Sequence, residues 1–142
     1  MTDAARKLTR DEVQAMFDRS PFIGWLGLKV VSLDHARQEI TVRLAMRPEL
    51  ERRAGSRQFH GGPIAALIDI AGDFAIGMLV GGGVPTINLR TDYLRPAVRL
   101  APTAVGRVRR ASRTLAVVDV EVHDEEQKLV ALGRGTYANT TG

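Results

Sequence analysis

The groups best suited to chemistry sit in one stretch, residues 59–80, FHGGPIAALIDIAGDFAIGMLV. His60-Gly61-Gly62-Pro63 reads as a helix start, and the spacing predicts a helix from Pro63 on. Proline suits the first helical position, where its missing N–H costs nothing. The two glycines leave the N–H groups of Gly61 and Gly62 open to a ligand at the positive end of the helix dipole. Such amides form an oxyanion site for an acyl carbonyl. Asp69 follows His60 by nine residues, and Asp73 lies one turn later on the same face. A carboxylate inside an apolar helix is costly unless it is paired, neutralised or used.

A distance separates the two kinds of group. Nine residues of helix span roughly 13.5 Å at 1.5 Å per residue. Groups acting on one carbon must each come within about 3 Å of it. The Gly61 amide and the Asp69 carboxylate of one chain therefore cannot serve the same carbon. Two such helices packed antiparallel across a two-fold axis would bring Gly61 of one chain to Asp69 of the other, twice. The expectation is a homodimer with two shared sites.

These residues need a helix held on all sides. From Ile64 to Leu79 almost every position is apolar, and a helix apolar all round is a buried one. About 20 such residues also match a bilayer span. Two central aspartates would each cost roughly 2.5–3.5 kcal/mol there, and no basic flank fixes an orientation, so the core helix of a globular domain is the reading adopted. The rest of the chain must supply the shell. Thr9 and Glu12 form a capping box that opens a short helix to about Arg19, ended by Ser20-Pro21. Residues 22–26 are an apolar patch that either plugs the core or lines a ligand pocket. Residues 28–33 read as a strand and 39–46 alternate, with Ile40, Val42, Leu44 and Met46 on one face, so the two form a hairpin. Residues 47–58 form an Arg-rich loop. Four extended runs follow the long helix, at 85–95, 103–110, 114–123 and 129–137, and their short connections imply an antiparallel meander. The fold class is α+β, a curved antiparallel sheet wrapped around one long central helix. One domain covers residues 1–142, with residues 1–8 a flexible arm and 138–142 a frayed tail.

Composition narrows the function classes. The 142 residues suit one domain with one core. The absence of cysteine removes disulfides, thiolate chemistry and Cys-based metal sites. The N-terminus carries no apolar run behind its charges, which points to a cytoplasmic protein. The net charge is +4 and 17 of the 20 basic residues are arginine, a side chain suited to phosphate. Aromatic residues are only 5% and no zinc-finger or RNA-binding signature occurs, so neither nucleic acid nor membrane is an expected partner.

The motif His-Gly-Gly with Asp at nine residues, then TINLRTDYLRP and VRRASRTLAVVDVEVHDEEQKLVALGRGTY, resembles the hotdog-fold acyl-CoA thioesterases, in particular the PaaI-like (phenylacetate-degradation) branch. The resemblance spans about residues 20–138. It implies hydrolysis of an acyl-CoA thioester to a free acid and coenzyme A, with no metal or other cofactor. It implies a homodimer, which the family often pairs into a homotetramer. Asp69 matches the catalytic carboxylate, as nucleophile or general base. Gly61 matches the oxyanion donor, His60 the adjoining residue of the turn, and Thr86 a hydroxyl that orients the carboxylate or water. Gly62, Gln58 and Asp73 join the substrate site, and Arg95, Arg110 and Arg113, with Arg90 and Arg109, are candidates for coenzyme A phosphates. The family often carries Asn six residues before the His, where this chain has Ala54; Gln58 or Ser56 would have to substitute. Asp73 replaces a commoner small residue, and would either repel Asp69 or pair with an arginine. Each residue also has a plainer reading: His60 as a helix cap, Asp69 and Asp73 as structural carboxylates, Thr86 as strand filler, the arginines as solvated surface. Two other functions stay in view, a non-catalytic acyl-CoA-binding module and an acyl-thioester hydratase or dehydratase on the same fold.

Overall fold

The computed structural model describes residues 5–98 and 101–141. The capping box forms: the Glu12 N–H donates to the Thr9 hydroxyl at 3.2 Å, and the Thr9 N–H donates to the Glu12 carboxylate at 2.9 Å. It opens helix α1 (Arg10–Arg19), which buries Val13 and Phe17. Pro21 does more than end α1. It occupies the first turn of a second short helix, α2 (Pro21–Leu26), closed by Gly27 at φ +71°. Residues 22–26 divide between the two roles open to them. Leu26 is buried in the core, whereas Phe22 and Trp25 remain about half exposed.

The strands are β1 (Lys29–Asp34), β2 (Glu39–Arg43), β3 (Thr86–Tyr93), β4 (Thr103–Ala111), β5 (Leu115–His123) and β6 (Leu129–Ala138). Among the described residues they form one antiparallel sheet in the order β1-β2-β4-β5-β6-β3. The expected meander holds for β4 to β6 only. β3 lies beyond β6 at the edge, and β4 pairs with β2 instead. The connection over residues 94–102 permits this. It must cross three strand spacings, roughly 14 Å in all, well within the reach of nine residues.

Helix α3 (Gly61–Val80) fills the concave face of the sheet. Close approach needs small residues on the strands: a Cβ on Gly106 would meet the Ala71 carbonyl oxygen at 2.7 Å, and one on Gly133 would meet Ile68 Cγ2 at 2.6 Å. Leu67, Ile68, Ile76 and Met78 are fully buried, each worth about 1.5–3 kcal/mol of transfer free energy. The helix that by length alone would span a bilayer is thus the core of the sheet. It is not enclosed on all sides, however. Ala65, Ala66, Asp69 and Asp73 form a partly exposed stripe along one face. Small apolar side chains look like core in a sequence, and here they face outward beside the β3 edge.

Both chain ends are tied further in than expected. Residues 1–4 and 142 lie outside the described residues. Leu8 is buried and its N–H donates to the Met78 carbonyl at 2.8 Å, so the arm is anchored at its inner end. At the other terminus the Ala138 N–H donates to Pro85 O and the Asn139 N–H to Thr114 O, each at 2.9 Å.

Candidate active site

Helix α3 begins two residues earlier than the proline suggests. His60 is the N-cap, with φ −62° and ψ 152°, and its Nδ1 accepts the Gly62 N–H at 3.2 Å. Gly61 is then the first helical residue and Pro63 the third. Proline is tolerated throughout a first turn because none of those N–H groups has an intrahelical acceptor. The cap also divides the two amides: Gly62 spends its N–H on His60, and the Gly61 N–H alone stays without a partner among the described residues. An acceptor at Nδ1 places the proton of neutral His60 on Nε2.

The helix start is braced from two sides. The Phe59 N–H donates to Ala97 O and the His60 N–H to Leu50 O, both at 2.8 Å. The loop before it is gathered by Glu51, whose carboxylate accepts the N–H groups of Gly55 at 3.4 Å and Arg57 at 2.6 Å. Tyr93, at the end of β3, donates its hydroxyl to Gly61 O at 2.8 Å. Gly61 has no side chain to keep that ring away; a Cβ there would lie 3.3 Å from it. A cavity of about 550 Å³ opens over this turn, with Gln58, His60, Gly61, Gly62 and Arg95 in its wall beside Arg52 and Tyr93.

Asp69 lies in a different cavity, of about 410 Å³, walled by Phe22 and Ile23 of α2, Ala65, Ala66 and Ile70 of α3, and Leu89 of β3. The Thr86 hydroxyl donates to Asp69 Oδ1 at 2.8 Å. The Tyr137 hydroxyl lies 3.0 Å from Asp69 O and 3.4 Å from the same Oδ1. Burial, and then the facing Asp69 and Asp73 carboxyls, push the Tyr137 phenol above its ordinary range, so it stays a donor. Oδ2 has no hydrogen-bond partner among the described residues, and is the oxygen left for a water or a carbonyl carbon.

Asp73, one turn on, meets no arginine among the described residues, and the repulsion foreseen between it and Asp69 falls on its own carboxyl. Its Oδ1 accepts the Val84 N–H at 2.7 Å, which fixes the turn out of α3. Burial, and to a lesser degree the Asp69 charge, raise its carboxyl from 3.8 to about 7 in spite of that hydrogen bond. The folded protein then keeps this proton up to about pH 7, whereas the unfolded chain releases it near 3.8. Folding takes up a proton in that window, so stability falls as pH rises through it and levels off above. Asp73→Asn keeps an acceptor for Val84 and removes the buried charge. It is expected to raise the melting temperature at pH 8 by roughly 5 °C and to change little at pH 4. Thermal denaturation at the two pH values checks this, and an equal effect at both would contradict it.

The structure therefore brings His60, Gly61, Gly62, Gln58 and Arg95 together, and separately pairs Asp69 with Thr86. Gln58, rather than Ser56, reaches the cavity wall; Ser56 Oγ accepts the Gln58 N–H at 3.2 Å. Arg110 and Arg113 are not brought to the Gly61 cavity. They lie in and beside the β4–β5 hairpin tip, which Asn139 ties down by donating to Ser112 O at 2.5 Å. That tip neighbours the start of β3 through the Ala138–Pro85 bond, whereas the cavity lies at the end of β3. Sequence reasoning missed Tyr93, Tyr137 and Arg52. Both tyrosines sit inside quoted motifs, but their partners are 32 and 68 residues away.

Comparison with known proteins gives a consistent result. The model of the thioesterase superfamily matches residues 59–131. The medium/long-chain acyl-CoA thioesterase YigI of Salmonella typhimurium is 30% identical over 132 residues, covering 82% of this chain and 84% of its own. The acyl-coenzyme A thioesterase PaaI of Escherichia coli is 29% identical over 125 residues, covering 85% and 84%. A solved structure of the E. coli PaaI protein superposes with a TM-score of 0.78 at 26% identity, over 93% of each chain. A thioesterase-superfamily crystal structure at 34% identity gives a TM-score of 0.84, over 91% of this chain and 96% of that one.

Proposed function

Because the chain belongs to the thioesterase superfamily and has its hotdog fold, we propose that it hydrolyses acyl-CoA thioesters at sites shared between two copies of itself. The observation that carries this reading is the division of the site. The free Gly61 amide and the Asp69 carboxylate occupy separate cavities of one protomer, each with half of what acyl transfer needs. β3 offers a way to join them. It is an edge strand with an exposed outer side, Ile87 being 58% exposed, and it runs beside the partly exposed stripe of α3. Two copies paired along β3 about a two-fold axis would continue the sheet, cover the stripe and set the two α3 helices antiparallel.

In such a dimer the thioester carbonyl oxygen sits on the Gly61 N–H of one chain, at the positive end of α3. Asp69 of the other chain acts through Oδ2. It either takes a proton from a water that attacks the carbonyl carbon or attacks that carbon itself, with water completing the second step. The C–S bond breaks, the acid stays with the oxygen nucleophile, and coenzyme A leaves as the thiol after gaining a proton. No metal or redox cofactor enters the balance. Phe22, Ile23 and Leu89 suit the acyl chain, and Arg52 and Arg95 suit coenzyme A phosphates. The cytoplasm is the compartment proposed.

Free-thiol release from a panel of phenylacetyl-, hydroxybenzoyl-, short-chain and medium-chain acyl-CoAs tests the activity and ranks the acyl groups. Turnover of at least one member is expected. Tight acyl-CoA binding with no thiol released would favour a binding module, with Ala54 in place of the family Asn the first residue to restore.

A further inference from the structure

We propose that Tyr137 is a positioning residue for the Asp69 carboxylate, delivered to it by two glycine notches. This rests on the hydrolytic reading of the site given above. Tyr137 lies on β6, and its side chain is fully buried against α3. Its ring folds back over its own strand, and only Gly135 leaves room: a Cβ there would run into the ring. Its hydroxyl reaches the helix at Gly72, where a Cβ would occupy the place of the oxygen. Glycine in a helix interior costs about 1 kcal/mol relative to alanine, and this space accounts for it at position 72.

The two notches leave the phenol one destination. Its oxygen lies 3.0 Å from Asp69 O and 3.4 Å from Asp69 Oδ1. It thus touches the backbone and the side chain of the same residue, which fixes the carboxyl group relative to the helix. Thr86 holds Oδ1 from the β3 side at 2.8 Å. Thr86 donates to Oδ1 directly, and the Tyr137 hydroxyl, whose one proton is shared between Asp69 O and Oδ1, closes on the same oxygen from the other side, which leaves Oδ2 as the oxygen with no partner among the described residues. Thr86 is exposed in the protomer and Tyr137 is buried, so the Tyr137 contact is the one shielded from competing water.

The test uses Tyr137→Phe, which keeps the ring and removes only the oxygen. In protein labelled with ¹³C-aspartate, the Asp69 Cγ resonance is identified by its loss in Asp69→Asn. It is expected to shift in Tyr137→Phe at fixed pH while the resonances of the exposed Asp11 and Asp18 stay. In the thiol-release assay kcat is expected to fall about tenfold with KM within about twofold. An unmoved Asp69 resonance overturns the proposal, whether kcat is retained or is lost in step with melting temperature; the latter marks a packing role only. The resonance reads the hydrogen bond without turnover. Wild-type protein that releases no thiol would therefore defeat the hydrolytic reading and still decide the contact.

Discussion

Asp69→Asn is expected to lower kcat by about a thousandfold, within the range of 10²–10⁴ that a positioned acid or base contributes. The substitution is close to isosteric, and the Asn carbonyl oxygen can still accept from Thr86 and Tyr137, which converge on one oxygen of the native side chain. Packing and helix geometry should therefore survive. What disappears is the unpartnered Oδ2 as an acceptor, replaced by an amide that can neither attack a carbonyl nor take a proton from water. Circular dichroism and size-exclusion profiles matching wild type, with turnover gone, would place the loss in the chemistry. Retained turnover would remove Asp69 from the reaction, whichever of its two mechanisms is preferred.

Gly61→Pro is expected to cost about a hundredfold or more in kcat, the scale of one oxyanion donor. Proline is unusually informative here because it deletes the N–H and little else. Gly61 is the first residue of α3, where that N–H has no helical acceptor. His60, at φ −62° and ψ 152°, already has the extended backbone that a following proline requires. The added Cβ would stand 3.3 Å from the tip of Tyr93, an exposed ring able to give way. Gly61→Ala brings the same Cβ and keeps the amide, so it should retain most of the activity and serves as the control. Equal losses in the two variants would assign the effect to crowding by Tyr93 and not to a lost donor.

Much of this arrangement is legible in the sequence because it rests on local patterns. The capping box at Thr9, the apolar run of α3 and the alternation through Ile40, Val42 and Leu44 each follow from short-range spacing, and each appears where expected. The candidate site motifs are equally local: a Gly-Gly turn entering a helix, and a carboxylate nine residues on. What escapes is set by long-range packing. Periodicity identifies β3 as a strand but cannot say that it lies at the edge, since strand order depends on where a nine-residue connection crosses. Six residues are too few to show helical period, so α2 reads as an irregular patch. Ala65 and Ala66 are apolar whether they face a core or an uncovered stripe. Asp73 shows that a buried carboxyl can do without a charged partner by holding its proton, since burial raises it to about 7 even though the Val84 N–H satisfies Oδ1. Tyr137 is the hardest to foresee, for its role needs two glycines on different elements to make room at once.

Mixing these two impaired variants tests most directly whether each site is built from two chains. Asp69→Asn and Gly61→Pro subunits, co-expressed or refolded together in equal amounts, would form mixed dimers as about half of the population. Each mixed dimer carries both lesions in one site and neither in the other. Thiol release from acyl-CoA is expected to recover to about a quarter of the wild-type rate, though each parent alone keeps only about a hundredth of it or less. A mixture no more active than its parents would contradict the account, for it would mean that Gly61 and Asp69 serve the same reaction from within one chain.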